Sequence, residues 1–126
     1  MNLAEDVSAR PYLLRAIYEW CAEKKYTPYL AADSRCEDAQ IPASAGGSGN
    51  FVVFNISSDA VRDLTIGEEV SFTARFHGVT SHVILPARAI TGIYARETGS
   101  GLSFAAPTHG TEKPVIADDK PDLRII

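Results

Sequence analysis

Glu69-Val70-Ser71-Phe72-Thr73-Ala74-Arg75-Phe76-His77 is the stretch on which the fold turns. Val70, Phe72, Ala74 and Phe76 alternate with Ser71, Thr73, Arg75 and His77. Successive side chains of a strand point to opposite sides, so this alternation predicts a β-strand with one buried face. Val, Phe and Thr also suit a pleated, half-buried surface. The stretch is expected to be the central strand of the domain, with the rest of the chain pairing with it or packing on it.

Downstream, His77-Gly78-Val79-Thr80 is expected to turn the chain into a strand over 81–85, closed by Pro86 as an antiparallel hairpin. Residues 87–89 bridge to a strand over 90–96, and the Gly-rich turn 97–101 leads to a short last strand over 102–104. Upstream, Leu64-Thr65-Ile66 predicts a short strand and Gly67-Glu68 a turn. Phe51-Val52-Val53-Phe54-Asn55-Ile56 is almost continuously apolar, which predicts a strand buried on both faces or central in a sheet. Ser57 or Ser58 is placed to cap a short helical turn through Ala60-Val61-Arg62. Tyr29-Leu30-Ala31-Ala32 predicts a short strand with Pro28 at its edge. Ile41-Pro42-Ala43 reads as a short edge segment and 45–50 as a flexible turn.

One helix precedes these strands. Arg10-Pro11 opens it, with Pro11 in the first turn where no N–H partner is needed. It runs to about Lys25, and Lys24 and Lys25 meet the negative helix end. Leu14, Ile17, Tyr18 and Cys21 form one apolar stripe; Leu13, Ile17 and Trp20 form an adjacent one. That arc is wider than packing on one sheet requires, so it fits either a well-buried helix or a helix with a surplus face for a second copy. Residues 1–9 read as a loose lead.

At 126 residues the chain is expected to be one domain with a modest core, and 45% hydrophobic and 22% charged residues are ordinary for a soluble globular protein. The net charge of −4 argues against non-specific nucleic-acid binding and gives no attraction to an anionic membrane. No apolar run is long enough to span a bilayer. The N-terminus lacks the basic start and apolar core of a signal peptide. Two cysteines without CxxC spacing fit reduced thiols in a cytosolic protein.

Chemical motifs are absent. His77, His82 and His109 form no ligand pair, so no metal site is expected. No nucleophile elbow, P-loop or dinucleotide fingerprint occurs, and Gly46, Gly47 and Gly49 are not followed by Lys-Ser/Thr. Cys21, on the buried helix, is expected to behave as a small hydrophobe. Nothing points to an enzyme, a catalytic residue or a cofactor. Beyond Phe104, residues 105–119 contain Pro107 and Pro114 and no aromatic residue, a composition that buries too little to offset its ordering entropy. Residues 120–126 then carry Leu123, Ile125 and Ile126. They read either as a frayed end or as a short linear motif that docks on a partner.

Several segments together resemble one family. They are Arg10-Pro11-Tyr12-Leu13-Leu14-Arg15-Ala16-Ile17-Tyr18-Glu19-Trp20, Thr27-Pro28, Val53-Phe54-Asn55-Ile56, Thr73-Ala74-Arg75-Phe76-His77-Gly78-Val79 and Ile93-Tyr94-Ala95-Arg96-Glu97-Thr98-Gly99-Ser100-Gly101. In this order they are similar to the stringent starvation protein B (SspB) family, the specificity-enhancing adaptor of the bacterial ClpXP protease.

The resemblance implies a mostly β fold, a small Sm-like barrel or sandwich of two antiparallel sheets with one N-terminal helix over residues 10–104. It implies a non-enzymatic, cytoplasmic homodimer joined through the helix, with Leu13, Leu14, Ile17, Tyr18 and Trp20 at the interface. It also implies a groove for an extended peptide, the ssrA tag of polypeptides from stalled ribosomes or a native substrate, with Ala60, Thr73, Ala74, Arg75 and Phe76 as candidate contacts. Residues 105–119 would be a flexible linker of about 50 Å at full extension and about 20 Å on average. Residues 120–126 would dock on the ClpX ATPase through Leu123, Arg124 and Ile125. The competing reading is an Sm-like RNA-binding module, which the acidic balance and the lack of a basic aromatic patch oppose.

Overall fold

A computed structural model describes residues 3–45 and 50–104. The expected linker, docking motif and most of the 45–50 turn lie outside the described residues. The described residues begin with two 3-10 turns, Leu3–Glu5 and Val7–Ala9. The Asp6 carboxylate accepts the Ser8 N–H at 3.0 Å and the Ser8 hydroxyl at 2.7 Å. Within the lead, residues 3–9 thus form two turns with a local cap between them. Helix α1 (Arg10–Lys24) follows, with Pro11 at its start. It ends at Lys25, whose φ of 61° is left-handed and turns the chain out of the helix.

Seven strands follow among the described residues: β1 (Pro28–Asp33), β2 (Phe51–Asn55), β3 (Val61–Ile66), β4 (Glu69–Phe76), β5 (Val79–Pro86), β6 (Ile90–Ala95) and β7 (Gly101–Ser103). All pairs are antiparallel, and they form one sheet in the order β2-β1-β6-β7 and another in the order β3-β4-β5. The sheets remain separate, so the expected mostly β, two-sheet fold is a sandwich and not a closed barrel.

β4 is the middle strand of its sheet, paired with β5 from Glu69↔Pro86 to Phe76↔Val79. Its Val70 and Phe72 lie in the core, where they meet Leu30, Phe54, Ile56, Val83, Leu85, Ile90 and Ile93. The Phe72 ring meets Phe54 of the facing sheet edge-on at 5.3 Å. Burying each such side chain stabilises the fold by about 1.5–3 kcal/mol. Leu14 brings α1 into the same core.

The structure corrects several local expectations. β2 is an edge strand, and only Val52 and Phe54 face inward; Phe51 and Val53 are exposed at 37% and 48%. The expected helical turn through Ala60-Val61-Arg62 is instead a turn that ends at Ala60, with the Ala60 and Val61 N–H groups donating to Ser57 O. Val61 and Arg62 already pair with Ala74 and Thr73, and that ladder takes their backbone bonds. The β4–β5 turn is only His77-Gly78, at φ 54° and 84°. Two left-handed residues match the strand twist in a tight hairpin, which leaves Val79 and Thr80 in β5. The expected edge segment at 41–43 reduces to one bridge, Gln40↔Ile84, followed by a 3-10 turn at Ala43–Ala45.

Candidate functional site

The alternation of β4 divides the candidate peptide contacts between its two faces. Ala74 and Phe76 point inward and are half-buried against the core. The Phe76 ring sits 6.0 Å from Phe54 of β2. Ala60 is exposed, one residue before Val61, which pairs with Ala74. Phe54 and Phe76 thus meet on the inner side with Ala74 beside them on β4, and Ala60 stands exposed at the end of the turn into β3. β2 and β3 are edge strands of different sheets, so this rim adjoins ladder edges. Thr73 and Arg75 lie on the opposite, outer face. There Thr73 Oγ1 hydrogen-bonds His82 Nδ1 at 3.1 Å and Arg75 stands opposite Thr80. His82 therefore stands across from Thr73. Phe54 was hidden from sequence reasoning because the apolar run around it masks its own alternation.

The helix residues also separate. Leu14 is wholly inside the domain, Leu13, Ile17 and Tyr18 are partly buried against the core, and Trp20 packs edge-on against Tyr26 at 5.4 Å. Much of the wide apolar arc is thus used within the domain. The outward side presents Tyr12, Arg15, Ala16 and Glu19. Arg15 lies over the Tyr12 ring at 5.2 Å, and its Nε donates to Ile66 O at 3.0 Å. Arg15 borders two clefts along the helix. One, of about 640 Å³, is lined by Val7, Pro11, Tyr12, Glu68 and Arg88 among others; the second, of about 290 Å³, by Tyr18, Glu19, Leu64 and Ile66. Neither reaches the Phe54–Phe76 rim. Leu123, Arg124 and Ile125 lie outside the described residues.

No group of metal-ligating side chains occurs among the described residues. Burial, with the Glu97 charge second, pushes the Cys21 thiol up to about 11, in keeping with an inert packing group. No helix of the described residues is long and apolar enough to cross a membrane.

A family model for stringent starvation protein B matches residues 8–123. The chain belongs to the SspB family. A stringent starvation protein B homolog of Haemophilus influenzae (strain ATCC 51907 / DSM 11121 / KW20 / Rd) is 38% identical over 96 residues, which is 75% of this chain and 63% of that relative. The chain therefore spans less than two thirds of the relative's length.

One SspB-like segment, Ala95-Arg96-Glu97, also fixes how the helix joins the sheet. Glu97 Oε1 accepts the Thr27 N–H and Oε2 the Thr27 hydroxyl, both at 2.7 Å. The Thr27 backbone bond, then its hydroxyl, hold the Glu97 carboxyl down to about 2. A lowered folded-state pKa stabilises the fold above the ordinary value of 4.5, and that contribution fades as pH falls from there towards about 2. In thermal melts at pH 6, 4 and 2.5, the parent is expected to lose stability relative to Glu97→Gln as pH falls. A constant difference between the two would show that the cap is not formed.

Proposed function

We propose that the chain is a dimeric, non-enzymatic adaptor that binds ssrA-tagged and some native substrate peptides in extended form and delivers them to ClpXP in the bacterial cytoplasm. SspB family membership carries this reading, and the Phe54–Phe76 rim supports it. An extended peptide gains affinity from main-chain bonds at a strand edge and specificity from pockets for alternate side chains. Ala60 and Ala74 leave room there, and Phe54 and Phe76 offer apolar walls. The second copy would meet the outward side of α1 around Tyr12 and Ala16, flanked by the half-buried Leu13, Ile17, Tyr18 and Trp20, while Leu14 supports the helix from within. Leu123, Arg124 and Ile125 would supply the ClpX contact, with 105–119 setting the effective concentration of substrate at the ATPase.

Fluorescence anisotropy with a labelled ssrA-type peptide tests the first half. Binding is expected at micromolar Kd or tighter, and Ala60→Gln, at an exposed turn position, is expected to weaken it about tenfold by filling the space. No binding up to millimolar peptide would overturn the reading. Deleting residues 123–126 is expected to leave peptide binding intact and to abolish stimulation of ClpXP degradation. Unchanged degradation kinetics would remove the tail from the mechanism.

A further inference from the structure

We propose that the two clefts beside α1 form one groove, and that it takes the chain's own segment Lys120-Pro121-Asp122-Leu123-Arg124-Ile125, folded back onto the helix and so withheld from ClpX. The docking stands without the adaptor reading; its effect on delivery rests on that reading.

Arg15 borders both clefts, so they meet end to end along the Pro11-Arg15-Glu19 side of α1. Residues four apart lie above one another on a helix, which makes that side one continuous wall. The facing wall is β3 and the turn after it, through Leu64, Ile66 and Gly67, and Pro86 and Ala87 close the wider end. Three exposed charges mark the groove in order. Glu68 lies on the larger cleft, Arg15 where the two join and Glu19 on the smaller one. Neither carboxylate forms an ion pair among the described residues. Arg15 uses its Nε on Ile66 O and leaves both Nη groups without a hydrogen bond among the described residues. Of the helix residues placed at a second copy's contact, the groove shares Tyr12 and Tyr18 and leaves Leu13, Ala16, Ile17 and Trp20.

Chain path and charge select the occupant. The described residues end at Phe104, whose ring centre lies 5.0 Å from the Arg10 guanidinium. Arg10 donates to the carbonyls of Ala87 and Arg88, and both residues line the larger cleft. The chain thus leaves the fold at the wide end of the groove. Residues 105–119 lead from there to Lys120, and a coil of that length spans about 20 Å on average. Lys120, Asp122 and Arg124 alternate in sign, and on an extended chain they stand on one side about 7 Å apart. Arg15 and Glu19, one helical turn apart, are spaced about 6 Å. A segment entering from the wide end therefore sets Lys120 against Glu68, Asp122 against Arg15 and Arg124 against Glu19. Pro121, Leu123 and Ile125 then face the apolar floor. A tether this short holds the segment at about 1 mM locally, so a contact with a Kd of about 0.5 mM keeps it docked about two thirds of the time. The same contact made by a free partner at micromolar concentration would be almost empty, which favours the chain's own segment.

Amide chemical shifts of the full chain, compared by NMR with the same chain lacking residues 120–126, test this. The amides of Arg15, Glu19, Ile66 and Gly67 are expected to differ between the two, by the same amount at every protein concentration. E19K/E68K should abolish the difference, and K120E/R124E added to it should restore the difference, which a merely structural role of the glutamates would not produce. In degradation assays E19K/E68K should lower the concentration of this chain needed for half-maximal ClpXP stimulation about threefold, the fraction of the motif set free. Equal amide shifts with and without residues 120–126 overturn the proposal, and so does a difference that E19K/E68K leaves in place. A difference that fades on dilution would give the groove to the segment of a second copy, and one confined to residues outside the groove would give the segment another site. Either result overturns the proposal. If the amides behave as expected but neither parent nor variant stimulates ClpXP, the docking stands and the adaptor reading falls.

Discussion

Changing Arg10 to methionine is expected to lower the unfolding free energy by about 3–5 kcal/mol, a large share of the 5–15 kcal/mol typical of a domain. Arg10 begins α1 and is 2% exposed. Its Nη1 donates to the carbonyls of Ala87, Arg88 and Ile90 at 3.2, 3.2 and 3.1 Å. Its guanidinium lies 5.0 Å from the Phe104 ring centre. Methionine keeps most of the volume and removes every donor, leaving buried carbonyls short of a partner. Arg10→Lys should recover only part of the loss, because a single ammonium cannot reproduce a planar fork. Urea denaturation followed by circular dichroism reads both variants. A loss below about 1 kcal/mol for the methionine variant, the range of a single ordinary hydrogen bond, would show that the helix start is not clamped to the β5–β6 corner.

Gly101→Ala should be nearly as damaging, for a steric reason. A Cβ there would stand 2.1 Å from Ile93 O, 2.5 Å from Tyr94 Cα and 2.7 Å from Tyr94 Cβ. These atoms belong to the strand that β7 pairs with and cannot swing aside, so β7 must lift from β6. The expected result is a melting temperature lower by about 10 °C or more, with faster exchange of the Phe104 amide, which bonds Thr91 O at 2.8 Å. Gly99→Ala is the control. Its φ of 76° is strained for alanine, but nothing lies within 4 Å, so only about 1 kcal/mol is at stake. Equal effects at the two glycines would show that the close approach at 101 is relieved in solution.

The sandwich was readable where pattern and packing agree. Val70 and Phe72 alternate with polar neighbours because one side of β4 meets the core. Elements set by distant partners were less readable. The run from Phe51 to Ile56 has the composition of a strand covered on both sides, yet β2 lies at a sheet edge, which only the order of strands reveals. Ala60-Val61-Arg62 has nothing locally against a helical turn; pairing with β4 makes it a strand. Leu14 and Ile17 share a stripe, but only the placement of α1 over the core decides that Leu14 is fully inside. At the candidate site, Ala74 and Phe76 belong together by periodicity, and so do Thr73 and Arg75. What periodicity cannot show is that Phe54, from the other sheet, meets Phe76 on the apolar side.

The two sheets also differ in when they can form. β3, β4 and β5 are consecutive and joined by short turns, so their loop-closure cost is small. The other sheet pairs β1, near the start of the chain, with β6, near the end of the described fold. It cannot assemble until β6 has been synthesised, and its long-range contacts make it the slower half. On the ribosome, the β3-β4-β5 meander is therefore expected to be complete while the β1-β2 pair still waits for β6. A ribosome paused before Ile90 would leave that apolar sheet unfinished and prone to mispair.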